Sequence, residues 1–211
     1  MSRTRIKFCG LRRAEDVQAA IALGVDAVGF VLTRRSRRCV EPALARELRS
    51  LLPPFVSAVA LFMDDDLAWV ADACALVQPD FVQFHGEESA AFAARCARPY
   101  LKAVPMASVS DVAAYVAQHP QARGFLLDSH AVGEAGGSGG AFDWARVPHS
   151  LARPLLLAGG LDAGNVGAAI ALARPFAVDV SSGIESAPGI KDAARMQAFV
   201  AAVRQADAAP A

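Results

Sequence analysis

The sequence predicts a parallel (β/α)₈ barrel folded as one domain, and three observations carry that reading. Eight short apolar runs recur at intervals of roughly 20–30 residues, with helix-forming stretches between most of them. The runs are apolar at successive positions rather than alternate ones, as in strands covered by helices on both faces. The last two runs stop abruptly at small residues, in Leu-Leu-Leu-Ala-Gly-Gly-Leu (155–161) and Ala-Val-Asp-Val-Ser-Ser-Gly-Ile-Glu (177–185). An open doubly wound sheet is the structural rival, but such sheets seldom need eight regularly spaced units. The barrel is assigned to residues 1–205, and 206–211 read as a frayed tail.

The first strand is predicted over 5–9, Arg-Ile-Lys-Phe-Cys, and the first helix over 14–23, where Gly24 supplies the stop. A second strand over 27–32 is followed by Pro42, which suits the first position of a helix over 42–51. The third pair is a strand over 57–62 and a helix over 67–77, and the fourth a strand over 81–84 and a helix over 89–96. The fifth strand, 100–104, leads to a helix over 109–118 that Ser108 and Asp111 open as a capping box. After the sixth strand, 124–128, the helical signal is weak, around Trp144. The connection there is Gly-Glu-Ala-Gly-Gly-Ser-Gly-Gly (133–140), which reads as a mobile lid over the site. The seventh strand, 155–158, precedes a helix over 165–173, and the eighth, 177–180, a helix over 192–205.

A hydrophobic content of 54% with 20% charged residues describes a compact chain rather than a disordered one. Zero formal net charge offers nothing to nucleic acid or to an acidic membrane surface. The polar, basic start lacks the apolar core of a signal peptide, and no apolar run reaches membrane-spanning length. A cytoplasmic location is expected. Cys9, Cys39, Cys74 and Cys96 form no C-x-x-C pair and have no histidine at zinc-ligand spacing, so free thiols and no metal are expected.

In a barrel of this kind, the strands' C-terminal ends form the site. That rule selects Cys9, the loop 33–40, Asp64, Gln83, His85, Lys102, Asp128 and the stretch from Asp179 to Gly183. A thiolate at Cys9 and a carboxyl at Asp128 make an acid–base pair, provided the site pulls the thiol pKa down and pushes the carboxyl up. Glycine at the last two strand ends lets backbone N–H groups approach a phosphate, so a phosphorylated small molecule is the expected ligand. In Arg34-Arg35-Ser36-Arg37-Arg38, one arginine can hold a carboxylate bidentately while the others raise the local potential. His119, His130 and His149 attract no role.

Several segments, in order, resemble phosphoribosylanthranilate isomerases of tryptophan biosynthesis. They are Lys7-Phe8-Cys9-Gly10, Ser36-Arg37-Arg38, Val82-Gln83-Phe84-His85-Gly86, Leu126-Leu127-Asp128, Gly136-Gly137-Ser138-Gly139 with Phe142-Asp143-Trp144, Leu157-Ala158-Gly159-Gly160-Leu161, and Val178-Asp179-Val180-Ser181-Ser182-Gly183 with Glu185, Pro188, Gly189, Lys191 and Asp192. The likeness spans Ile6 to about Val203. It implies a (β/α)₈ barrel, no cofactor, and an Amadori rearrangement of N-(5-phosphoribosyl)anthranilate to the aminodeoxyribulose phosphate. It also implies Asp128 as the acid that opens the sugar ring and Cys9 as the base that takes the C2 proton. Arg38 would hold the anthranilate carboxylate, with Gln83, His85 and Asp179 near the substrate and Gly159, Gly160, Ser182 and Gly183 around the phosphate. Two positions depart from the family pattern: Arg37 stands where proline is usual, and Ser138 where threonine is common. Arg34, Arg35 and Arg37 are expected to steer the anionic substrate toward Arg38.

Two competing readings remain at this stage. A histidine-pathway isomerase performs the same type of rearrangement but relies on paired aspartates and two phosphate sites, which Cys9 and the single glycine cradle oppose. A phosphate-binding barrel without chemistry needs neither Cys9 nor Asp128. Association with other tryptophan-pathway enzymes is left open.

Overall fold

The computed structural model describes residues 3–131, 142–148, 151 and 153–209. Eight parallel strands close into a barrel in chain order: β1 (Arg5–Cys9), β2 (Ala27–Val31), β3 (Ser57–Phe62), β4 (Phe81–Phe84), β5 (Tyr100–Pro105), β6 (Gly124–Asp128), β7 (Leu155–Leu157) and β8 (Ala177–Val180). The seam between first and last strands is in register through Lys7 opposite Asp179 and Phe8 opposite Val180. Among the described residues, helices α1 (Ala14–Ala22), α2 (Pro42–Arg49), α3 (Leu67–Val77), α4 (Ala90–Arg95), α5 (Val112–Ala117), α6 (Val166–Ala173) and α7 (Ala193–Ala208) follow every strand except β6. A 3₁₀ turn, Trp144–Arg146, stands where the helical signal was weak. The expected lid, 133–140, lies outside the described residues.

Alternation along the strands divides the core in two. Ile6, Phe8, Val28, Phe62, Phe84, Phe125, Leu127 and Val178 point outward and are sealed by helices through Val17, Leu48, Val70, Val166 and Phe199. Val59, Leu101, Ala103, Leu126, Leu156, Ala158 and Ala177 point inward and fill the barrel, as the two-residue period requires. The inward positions one step nearer the C-terminal ends mix Cys9, Gln83, Asp128 and Asp179 with the apolar Val31 and Leu61, and that layer is the floor of the site.

Several expected boundaries shift for local reasons. The helix after β5 begins at Val112, not 109, because Asp111 is itself the N-cap, its carboxylate accepting from the Ala114 N–H at 2.9 Å. Gly24 closes α1 with φ +73°, as expected of a helix stop. Beyond β8 the chain makes a hairpin, β9 (Glu185–Ala187) with β10 (Ile190–Lys191), turning at Gly189 with φ +81°. Strands of two and three residues carry no readable period. Residues 206–208 are helical rather than frayed. Asp207 there clasps the start of β1, accepting from the Thr4 N–H at 2.8 Å and the Thr4 hydroxyl at 2.6 Å. Among the described residues no helix is long and apolar enough to cross a membrane.

Candidate active site

A cleft of about 680 Å³ opens at the C-terminal mouth of the barrel. Its walls include Cys9 from β1, Arg38 from the β2–α2 loop, Gln83 and His85 from β4, and Asp128 from β6. Gly159 and Gly160 after β7, Asp179 from β8 and Ser182 beyond it complete the walls. The strand ends therefore gather these expected residues in one place. Gly183 stands behind this lining: a Cβ there would lie 2.0 Å from the Leu161 carbonyl oxygen, so only glycine lets the β8 loop close on the β7 loop. Gly159 and Gly160 have φ of +80° and +65°, a backbone shape that favours glycine.

On the β1–β8 side, charges are buried and paired. Lys7 Nζ donates to Asp179 Oδ2 at 2.8 Å, with both side chains nearly inaccessible. Burial alone would lower the Lys7 ammonium, but Asp179 outweighs it and raises its pKa. Cys9 stands two residues along the same face, opposite Gly29, where a Cβ would come within 2.7 Å of its sulfur. Burial pushes the Cys9 thiol up, with Lys7 and Lys191 opposing without prevailing. Arg38 grips Glu185 through Nε at 2.8 Å and Nη2 at 2.9 Å, a fork that leaves Nη1 outside the pair. Glu185 also accepts from Lys191 Nζ at 2.8 Å, and Lys191 donates to the Ser181 carbonyl at 3.0 Å. The Ser181 hydroxyl in turn donates to the Cys9 carbonyl at 3.0 Å, tying the hairpin to the end of β1.

On the β4–β6 side, polar groups are buried but loosely paired. Gln83 Nε2 lies 3.3 Å from His85 Nδ1; with the amide so oriented, the His85 proton sits on Nε2 and faces Asp128. His85 Nε2 is 3.5 Å from Asp128 Oδ2, and His130 Nδ1 is 3.6 Å from Asp128 Oδ1. The two imidazoles stack with centroids 4.3 Å apart. Burial pushes His85 down to about 4, so its imidazole is neutral at pH 7. Burial alone would raise Asp128, but the facing His130 and His85 outweigh it and hold the carboxyl below its usual range. Gln83 Oε1, His85 Nε2, His130 Nδ1 and Asp179 Oδ1 are buried without a hydrogen-bond partner among the described residues. Orphaned buried polar atoms are costly, and a cluster of them around one cleft marks where a polar ligand completes the bonding.

Three expectations need correction. The thiol is raised and the carboxyl lowered in the unliganded protein, because burial dominates at Cys9 and two histidines face Asp128. His130, given no role from sequence, stacks on His85 and faces Asp128 from the adjoining cavity. The arginine run is largely engaged rather than free: Arg34 stacks 4.0 Å over the Trp69 ring and Arg35 pairs with Asp64 at 3.2 Å. Lys102 donates to Glu88 and to the Gly86 carbonyl, while Asp64 accepts from the Glu87 N–H at 2.6 Å, so both brace loops outside the cleft. Lys7 and His130 escaped sequence reading: Lys7 shares the inward face of β1 with Cys9, while His130 lies in the loop two residues past Asp128.

Residues 6–202 match the family model described as N-(5'phosphoribosyl)anthranilate (PRA) isomerase. The N-(5'-phosphoribosyl)anthranilate isomerase of Stenotrophomonas maltophilia (strain R551-3) is 53% identical over 207 residues, covering 97% of this chain and 95% of that protein. The phosphoribosyl anthranilate isomerase structure from Thermus thermophilus superposes with a TM-score of 0.86 at 37% identity, covering 96% of this chain and 99% of that one. A phosphoribosyl anthranilate isomerase in complex with reduced 1-(o-carboxyphenylamino)-1-deoxyribulose 5-phosphate superposes with a TM-score of 0.80 at 34% identity, covering 96% and 99% of the two chains.

Proposed function

Because the chain belongs to the N-(5'-phosphoribosyl)anthranilate isomerase family, we propose that Asp128 and Cys9 are the acid and base of its reaction. The enzyme converts N-(5'-phosphoribosyl)anthranilate to 1-(2-carboxyphenylamino)-1-deoxyribulose 5-phosphate in L-tryptophan biosynthesis. Asp128 protonates the furanose ring oxygen, the C1–O bond breaks, and the anilino nitrogen lone pair leaves an open-chain protonated Schiff base. The Cys9 thiolate then takes the C2 proton, giving an enolamine that tautomerises to the ketone.

The single observation behind this reading is that Cys9 and Asp128 open into one cleft from strands separated by β7 and β8, whose glycine-bearing ends line the space between. The ionisation of these groups fits a sequential mechanism. The incoming carboxylate and phosphate add negative charge and expel water, both of which move Asp128 toward its protonated form. Ring opening then places a cation beside C2, which acidifies that proton and favours the Cys9 thiolate, with Lys7 and Lys191 already pulling the same way. Arg38, fixed by Glu185, presents Nη1 to the anthranilate carboxylate. Gln83, His85 and Asp179 meet the sugar and amine, and the backbone around Gly159, Gly160, Ser182 and Gly183 holds the phosphate. The reading places the enzyme in the cytoplasm, where its free cysteines stay reduced.

Cys9→Ser and Asp128→Asn test the two roles against freshly generated phosphoribosylanthranilate, followed by loss of its fluorescence. Each should lower kcat by about 10²–10⁴-fold while circular dichroism and product-analogue binding persist. Near-normal turnover in either variant removes that residue from the mechanism.

A further inference from the structure

His85, Asp128 and His130 offer one ligand atom each, all within 4.8 Å of one another, and all three residues are buried. We propose that this triad is a binding site for a first-row divalent cation, Zn²⁺ above all, reached through the cleft. The sequence predicts no metal, because His85 comes from β4 while Asp128 and His130 come from the end of β6; only closure of the barrel brings them together. Zinc takes imidazole nitrogen and carboxylate oxygen at about 2.0–2.2 Å, so donors sharing one ion stand up to about 4.2 Å apart. His85 Nε2 lies 3.5 Å from Asp128 Oδ2 and His130 Nδ1 3.6 Å from Asp128 Oδ1, so each imidazole meets that limit with a different carboxylate oxygen. The widest pair must close by roughly half an ångström, a side-chain adjustment rather than a backbone one.

A second observation also points to a ligand. His85 Nε2 and His130 Nδ1 are buried, without hydrogen-bond partners among the described residues, and both face Asp128 across gaps too long for good hydrogen bonds. An ion takes the Nε2 lone pair, so the His85 proton moves to Nδ1 and the Gln83 amide turns its orphaned Oε1 to accept it. Two imidazoles with one carboxylate suit zinc and its first-row neighbours rather than magnesium or calcium, which prefer oxygen donors. His85 and Asp128 line the cleft, so the remaining coordination positions open toward solvent. An ion held there occupies the Asp128 carboxylate, so it also blocks turnover; that consequence, unlike the binding itself, rests on Asp128 being the acid.

The test is titration of the purified, chelator-stripped enzyme with Zn²⁺ by calorimetry, with Co²⁺ absorption as a second probe, both without substrate. One ion per chain is expected, with a cobalt spectrum lacking thiolate charge transfer. His130→Asn and Asp128→Asn should each weaken binding at least tenfold. Absence of binding, unchanged affinity in both variants, or a thiolate-type cobalt spectrum (pointing to Cys9 or another cysteine) overturns the proposal. If one variant does not fold, the other and the cobalt spectrum still decide. Turnover is measured separately with and without EDTA. Zn²⁺ bound at the triad with turnover unimpaired upholds the site and sinks the assignment of Asp128 as the acid.

Discussion

The two walls of the cleft solve the problem of buried polarity in opposite ways. The β1–β8 wall neutralises charge with charge: Lys7 with Asp179, and Arg38 and Lys191 with Glu185, all within 2.9 Å. The β4–β6 wall leaves Gln83, His85, Asp128 and His130 at 3.3–3.6 Å from one another, with orphaned nitrogen and oxygen atoms. Asp179 Oδ1 apart, the first wall is paired within itself and fixes position and potential without a ligand. The second is unfinished until a ligand supplies its hydrogen bonds, so stability is vested in one wall and recognition in the other.

Breaking the seam pair should give the largest effect. Lys7→Met strands the Asp179 carboxylate and should cost about 3–5 kcal/mol in chemical denaturation, whereas Lys7→Met/Asp179→Leu should recover most of that stability without recovering activity. If the double variant is as unstable as the single one, the pair is not what the seam depends on. The opposite wall should respond in the opposite sense. Gln83→Met removes both an orphaned oxygen and a long 3.3 Å contact, so stability should move by less than about 1 kcal/mol while kcat/KM falls about tenfold. A variant that loses stability and keeps activity would reverse the division between the walls.

Acid should weaken the neutral wall first. His119, in the cavity behind His85 and His130, is pushed down to about 4 by burial, with Lys102 adding to it. An unfolded histidine titrates near about 6.5, so between about 4 and 6.5 the unfolded chain binds the extra proton and stability falls as pH falls. The urea midpoint should drop between pH 7 and pH 5, and His119→Gln should flatten that dependence; an unchanged slope removes His119 as a source. The smallest effect is expected at the exposed arginines. Neutralising Arg34, Arg35 and Arg37 together should lower kcat/KM about two- to threefold at low salt and not at all at high salt, since exposed charges are screened beyond about 8 Å at physiological ionic strength. No change at low salt ends the steering role.

The fold was legible because its signal is repeated: strands over 5–9, 57–62, 81–84, 124–128 and 177–180 stand where their apolar runs predicted them. Shared position at the strand ends was legible too, since the barrel rule converts an index such as 128 into a place. What escaped was anything set by pairing across the chain. The Lys7–Asp179 and Arg38–Glu185 bonds join residues 172 and 147 positions apart, and no local pattern announces them. The ionisation of Cys9 and Asp128 escaped too, because burial inside the closed barrel dominates at Cys9 and the histidines that face Asp128 are placed only by the fold. His130 escaped because it lies in the loop beyond β6, and only the fold brings it against His85 and Asp128.

Asp207 on Thr4 has a consequence for how the polypeptide comes off the ribosome. Its two bonds span 203 positions, so the clasp of α7 on the start of β1 can form only after β8, the strand that closes the cylinder against β1, has been made. Ring closures over such separations are slow and entropically expensive, and local βα units form well before them. A nascent chain halted short of this residue lacks the final clasp on its first strand, at the barrel end opposite the catalytic mouth.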